Sequence, residues 1–124
     1  MIRANPQYQW INLQIDATPE ESAALSQAGV ELYPGTIANM NDTAGLISNL
    51  DVVISVDTAI SHLSAAMGRP TWIMLNHYAL DWRWLLHRGD SPWYPTARLF
   101  RQPGMDQWLP VTEKIERFLK VFTV

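Results

Sequence analysis

The chain has 124 residues, no cysteine and a formal net charge of -3. This length predicts a single domain, and 48% hydrophobic against 17% charged residues is typical of a globular protein, not of a disordered or membrane-spanning one. The lack of cysteine excludes disulfides and thiol chemistry, and the acidic balance without a Lys/Arg run argues against a nucleic-acid partner.

The first part of the chain alternates strand and helix. Thr18 suits a helix N-cap, Pro19 the first helical position and Glu20 and Glu21 the first turn, and Gly29 ends the helix. The elements predicted here are a strand at Tyr8–Leu13, a helix from Pro19 to about Ala28, a strand at Val30–Tyr33, and a helix capped by Asn41 or Asp42 that runs to about Leu50.

A βαβ unit follows in the middle of the chain. Val52–Val56 is a short apolar run rich in β-branched residues, which predicts a strand buried in a parallel sheet. Asp57 and Thr58 can cap the helix that comes next, and Gly68 with Pro70 ends that helix. The apolar run Thr71–Leu75 predicts the second strand of the unit.

The last third is less regular. It is predicted to contain a long loop after Leu75, a short helix at Asp81–Leu86, an irregular stretch at Arg88–Pro95, an edge strand at Arg98–Arg101 and an amphipathic helix at Val111–Phe122. Strands that alternate with helices predict an α/β fold with a mainly parallel sheet over residues 1–124.

The helix that follows Val56 carries the first candidate site. Ligands bind at the carboxyl ends of parallel strands, where helix N-termini attract anions, and Asp57, Thr58 and Ala59 lie at that place. A phosphate suits the helix N-terminus, a sugar or ribose hydroxyl suits Asp57, and His62 lies one turn further on. The alternatives are a simple helix cap and a core histidine bonded to backbone.

A second candidate lies in the loop. The run Asp81, Trp82, Arg83 and Trp84 offers a carboxylate, a guanidinium and two stacking surfaces within one turn. It could act as a lid in which Arg83 meets phosphate and a tryptophan packs on a base or sugar. The alternative is a surface helix with its tryptophans packed inward. No GxGxxG, GxxxxGK[ST] or GxSxG motif occurs, and the three histidines lack metal-ligand spacing.

The stretch from Asp57 through His62 and Gly68 to Pro70 resembles the C-terminal domain of heptosyltransferase-like glycosyltransferases, which carry an Asp-Ser/Thr-Gly-x-x-His-Leu-Ala-Ala-Ala-Leu-Gly-x-Pro signature. The blocks Asp81–Leu86 and Asp90–Pro103 resemble a branch found in bacterial tetratricopeptide-repeat proteins. The likeness runs from about Tyr8 to the end of the chain.

The resemblance implies a Rossmann-like three-layer domain, the C-terminal half of a GT-B fold, which binds a nucleotide-diphosphate sugar without a cofactor or metal. Asp57 would bind sugar hydroxyls, Thr58 and the Ala59 backbone the diphosphate, and His62 would support the site. Ala59 departs from the family's glycine. The domain's first strand is missing, which predicts that Tyr8–Leu13 pairs directly with Val52–Val56 or that a homodimer fills the gap.

Three interpretations follow. The first is the donor-binding domain of an inverting glycosyltransferase, inactive alone because the acceptor domain carries the base in the family. The second is a non-catalytic remnant or protein-interaction domain that keeps the fold. The third, a phosphoacceptor receiver domain, is rejected because Asp16 stands alone after the first strand, and because the only lysines, Lys114 and Lys120, lie in the last helix and not directly after the fifth strand. No apolar run approaches ~20 residues and no signal-peptide pattern is present, so a cytoplasmic protein is expected.

Overall fold

The computed structural model describes residues 1–32, 37–78 and 88–122. It divides into two compact units, residues 1–43 and 44–124. The described elements, in chain order, are β1 (Trp10–Ile11), α1 (Pro19–Gln27), β2 (Val30–Glu31), α2 (Met40–Ile47), β3 (Val53–Val56), α3 (Ala59–Ala66), β4 (Thr71–Leu75), β5 (Ala97–Arg101) and α4 (Trp108–Leu119).

The first unit is built on a parallel pair of short strands. β1 pairs with β2 in the register Trp10 to Val30 and Ile11 to Glu31. α1 connects them and begins with a capping box, in which Thr18 Oγ1 accepts from Glu21 N–H at 3.2 Å and Thr18 N–H donates to Glu21 Oε2 at 3.0 Å. The predicted start of this helix is confirmed, and Gly29 follows it with φ at +88°.

The helix α2 begins earlier than predicted. Its cap is Asn39, whose side-chain oxygen accepts from Asp42 N–H at 3.0 Å, while Asp42 Oδ2 accepts from Ala38 N–H at 2.9 Å. The prediction of a cap at Asn41 or Asp42 is therefore wrong. Asp42 lies in the first turn instead, and its carboxylate accepts from the backbone N–H of the residue before the cap.

The second unit carries a three-stranded parallel sheet in the order β3-β4-β5. The predicted strands after Leu50 are all present, and Arg98–Arg101 is confirmed as part of an edge strand that starts at Ala97. One face of the sheet packs around a cluster of buried apolar side chains. These are Ala65, Ile73, Leu75, Ala97 and Leu99, with Tyr94 half-buried against them.

The other face of this sheet carries an aromatic layer shared with α4. The Trp72 ring lies 5.8 Å from Phe100, 6.2 Å from Phe118 and 5.4 Å from Phe122 between ring centroids. α4 buries Val111, Ile115 and Leu119. It starts three residues before the predicted Val111, because Pro110 falls in the first turn, where a backbone N–H has no partner inside the helix.

These findings confirm the α/β class, with parallel strands joined by helices as in a Rossmann-like domain. Within the described ranges, β1 pairs with β2, and β3 pairs with β4. The direct pairing of the first strand with Val52–Val56 would join the two units and stays a prediction. The single-domain extent of 1–124 stays a prediction. None of the helices in the described part of the chain is long and apolar enough to cross a membrane.

Candidate functional site

The candidate site lies where β3 ends and α3 begins. The β-branched run stops at Val56, Asp57 forms the turn, and Thr58 is the extended N-cap residue at φ -136° and ψ 174°. α3 follows β3 directly, so the N-terminus of α3 lies at the carboxyl end of this parallel strand. The first backbone N–H groups of α3 have no partner inside the helix. The predicted placement of Asp57, Thr58 and Ala59 at a helix start is confirmed.

Serine and threonine hydroxyls fix the backbone of this turn. Ser55 Oγ donates to Val56 O at 2.9 Å, so the 3.2 Å contact between Ser55 Oγ and Thr58 Oγ1 is donated by Thr58. The buried Ser61 hydroxyl donates to Thr58 O at 2.8 Å and accepts from Thr58 N–H at 3.2 Å. The backbone N–H and C=O of Thr58 are therefore both hydrogen-bonded to the Ser61 hydroxyl.

His62 joins the turn to a residue far along the chain. Its Nε2 lies 2.9 Å from Asp57 Oδ1, and its Nδ1 lies 3.2 Å from the Tyr94 hydroxyl. A carboxylate only accepts hydrogen bonds, so we assign the ring proton to Nε2, and in the neutral ring Nδ1 then accepts from Tyr94. The Asp57 side chain is 33% exposed and the His62 side chain is 28% exposed, so both are accessible to a ligand.

This geometry bears on the alternative that His62 is a core histidine bonded to backbone. The described partners of the His62 ring are side chains, so His62 is not a core histidine bonded only to backbone. Tyr94 was not singled out from the sequence as a site residue. Tyr94 lies 32 residues from His62, so the sequence near His62 gave no signal for this contact.

The second candidate group is not tested in the same way. Asp81, Trp82 and Arg83 lie outside the described residues, as does the helix predicted at 81–86. In the described residues that follow, Arg88 Nε and one terminal nitrogen of Arg88 donate to the two oxygens of Asp90 at 2.8 and 3.0 Å. The hydrogen bond from Arg88 holds the pKa of the Asp90 carboxyl below its usual 3.8.

No group of three or more His, Cys, Asp or Glu side chains that could hold a metal ion is found among residues 1–32, 37–78 and 88–122. The site's titratable side chains are Asp57, His62 and Tyr94. Their arrangement can donate to and accept from ligand hydroxyls, and the helix N-terminus favours an anion.

Residues 15–74 match the model of glycosyltransferase family 9 (heptosyltransferase). This range runs from before α1 to β4 and contains the Asp57–His62 pair, whereas Tyr94 lies beyond it. The chain is also 31% identical over 118 residues to protein FlbA of Caulobacter vibrioides, an alignment that covers 91% of this chain and 19% of FlbA. No solved structure matches. The matches support a glycosyltransferase family 9-like domain in a chain that spans about a fifth of that relative.

Proposed function

We propose that this chain is the donor-binding domain of a glycosyltransferase and that the N-terminus of α3 binds a nucleotide-diphosphate sugar. The observation that carries the proposal is the Asp57–His62 pair, 2.9 Å apart at the carboxyl end of β3 and inside the range that matches glycosyltransferase family 9. Asp57 binds sugar hydroxyls, Thr58 and the Ala59 backbone meet the diphosphate, and His62 supports the carboxylate.

Charge balance favours this division of roles. A carboxylate beside a diphosphate repels it, but the His62 ring donates to Asp57 and, when protonated, offsets its charge. The helix N-terminus adds a partial positive charge directed at the phosphates. Asp57 is thereby suited to the neutral hydroxyls of a sugar, while the phosphates lie against backbone N–H groups.

Further parts of the proposal come from the sequence. Arg83 would meet phosphate and Trp82 would pack on a base or sugar, with Asp81 beside them. Glycosyl transfer would need residues beyond this chain, because the resemblance places the base in a separate acceptor domain. The 19% share of FlbA that the chain covers fits a domain of a longer protein, for which we propose tetratricopeptide repeats as the neighbouring segment.

The test is a calorimetric titration of the chain with ADP, UDP, GDP and CMP nucleotides and with their sugar conjugates. We expect one nucleotide to bind saturably and Asp57→Ala to weaken its sugar conjugate by about tenfold or more, since a hydrogen bond to a charged group contributes about 1.5–3 kcal/mol. Thr58→Val should weaken the nucleotide itself. Asp51→Ala is the matched control, because Asp51 is an exposed aspartate that precedes the same strand.

The second candidate function is a non-catalytic interaction domain that keeps the fold. The observation that favours it is Ala59, which stands where the resembling family has glycine and brings a methyl group to the place of closest phosphate approach. Absence of binding by every nucleotide, in a chain whose amide spectrum shows it to be folded, would overturn donor binding and leave this second function. Ala59→Gly would then be expected to restore affinity if only the methyl group blocks the site.

A further inference from the structure

Tyr94 combines an anchored ring with a hydroxyl that reaches the site. Its ring is half-buried against the apolar cluster on one face of the β3-β4-β5 sheet, and its backbone carbonyl accepts from Ala97 N–H at 3.0 Å, just at the start of β5. The hydroxyl lies 3.2 Å from His62 Nδ1, with the two rings edge-to-face at 5.8 Å between centroids. A packed ring of this kind holds its hydroxyl in place.

The contact between Tyr94 and His62 also affects Asp57, because the His62 imidazole bonds both residues. Nδ1 and Nε2 lie on opposite sides of the His62 ring, so a contact at Nδ1 limits the rotation that would carry Nε2 away from the carboxylate. The neutral ring also has two tautomers, and a donor at Nδ1 favours the one that carries its proton on Nε2. Only that tautomer donates to Asp57.

We propose that Tyr94 is a positioning residue of the donor site: it orients His62, and through His62 it directs the Asp57 carboxylate at the sugar of a nucleotide-sugar ligand. This inference rests on the proposed function for the ligand, and on geometry alone for the orientation of His62. Tyr94 lies outside the range that matches glycosyltransferase family 9, and nothing in that match assigns it a role.

The first readout needs no ligand. Long-range proton–nitrogen correlation spectra of the imidazoles report which nitrogen carries the proton. We expect His62 to carry it on Nε2, and Tyr94→Phe to shift the ring toward a mixture of tautomers. Phe keeps the ring and its packing, so a purely structural role of Tyr94 would leave the spectrum of His62 unchanged, and that result would overturn the proposal.

A matched control lies in the same chain. Tyr78 is an exposed tyrosine whose ring lies edge-to-face with His77 at 5.2 Å. Tyr78→Phe removes a hydroxyl from a tyrosine whose ring contacts a different histidine, so it should leave the His62 signals unchanged. A shift of His62 in both variants would mean that the spectrum responds to general changes, and this result would also overturn the assignment.

The second readout separates the sugar from the nucleotide. With ADP, UDP and GDP compared with ADP-glucose, UDP-glucose and GDP-mannose, Tyr94→Phe should weaken the sugar conjugate about 5–10-fold, the effect of one lost neutral hydrogen bond, and the free diphosphate less than about twofold. His62→Gln keeps a donor that can reach Asp57 but gives Tyr94 no ring nitrogen, so adding Tyr94→Phe to it should cause no further loss.

The outcomes are distinct. Equal weakening of the diphosphate and its conjugate would overturn the route through Asp57, and so would an additive double variant. If the wild-type chain binds none of the six probes, the proposed function fails, while the His62 spectrum still decides whether Tyr94 orients the ring.

Discussion

Two threonine hydroxyls, those of Thr71 and Thr96, donate to the same carbonyl, Arg69 O, each at 2.8 Å. Thr71 is fully buried and also accepts from Ser64 Oγ at 2.7 Å, whereas Thr96 is exposed. We expect Thr71→Val to lower the free energy of unfolding by about 1–3 kcal/mol, because the buried Ser64 hydroxyl loses its acceptor. Urea denaturation monitored by tryptophan fluorescence measures this change.

The control is Thr96→Val, which removes the second hydroxyl from the same carbonyl at the surface. Water replaces a partner there, so its effect should stay within about 0.5 kcal/mol. Adding Ser64→Ala to Thr71→Val should recover part of the loss, since no buried hydroxyl then lacks a partner. Equal effects of the two Thr→Val changes would contradict the assigned role of burial.

The Arg88–Asp90 pair gives a pH prediction. Its hydrogen bonds lower the pKa of Asp90 in the folded state, so the pair's contribution to stability is present above the unfolded value of about 3.8 and is lost as the pH falls through the lower folded value. A carboxyl-detected NMR titration should place the Asp90 midpoint below 3.8. Arg88→Gln should raise the Asp90 midpoint, because it removes the charged partner that lowers this pKa. An unchanged midpoint in that variant would contradict the pairing.

At the scale of the elements, two exposed glycines of the second unit predict opposite results for one substitution. Gly68 follows α3 at φ +74°, where a side chain strains the backbone, although an added Cβ meets nothing within 4 Å. Gly68→Ala should therefore destabilise by about 1–2 kcal/mol. Gly45 lies inside α2 with the same open surroundings, so Gly45→Ala should stabilise by about 0.5–1 kcal/mol. Thermal unfolding measures both effects, and midpoint temperatures that shift in the same direction in the two variants would contradict this prediction.

The same comparison explains how far the sequence predicts this molecule. The stop at Gly68 and the capping box of Thr18 and Glu21 were predictable because every group involved lies within four residues of its partner. The cap of α2 was misplaced because Asn39, Asn41 and Asp42 are all able to cap, and only the hydrogen bond that Asn39 Oδ1 accepts from Asp42 N–H identifies Asn39 as the cap. The contact of Tyr94 with His62 spans 32 residues, so local pattern carries no signal for it.

At the scale of the whole molecule, the two edges of the β3-β4-β5 sheet differ. The outer edge of β5 is bridged antiparallel by Asp90 opposite Arg98, and Leu99 N–H donates to Gly89 O at 2.8 Å.

The outer edge of β3 is different. On β3, Val53 N–H donates toward β4, to Pro70 O at 2.9 Å. Successive residues of a strand direct their backbone groups to opposite edges, so those of Ile54 and Val56 point away from β4. This is an apolar strand whose second edge has no ladder in the described sheet.

An apolar edge of this kind is a template for another strand, and we expect a second copy of the chain to pair there. Sedimentation velocity over increasing protein concentration should then show a monomer–dimer equilibrium. Val56→Pro removes one N–H from that edge and none that faces β4, and it should abolish the dimer while the circular dichroism spectrum is kept. Val56→Thr is the matched control, because it retains both the N–H and a β-branched side chain. A wild-type chain that stays monomeric, or a proline variant that dimerises equally well, would leave β3 as a true edge strand.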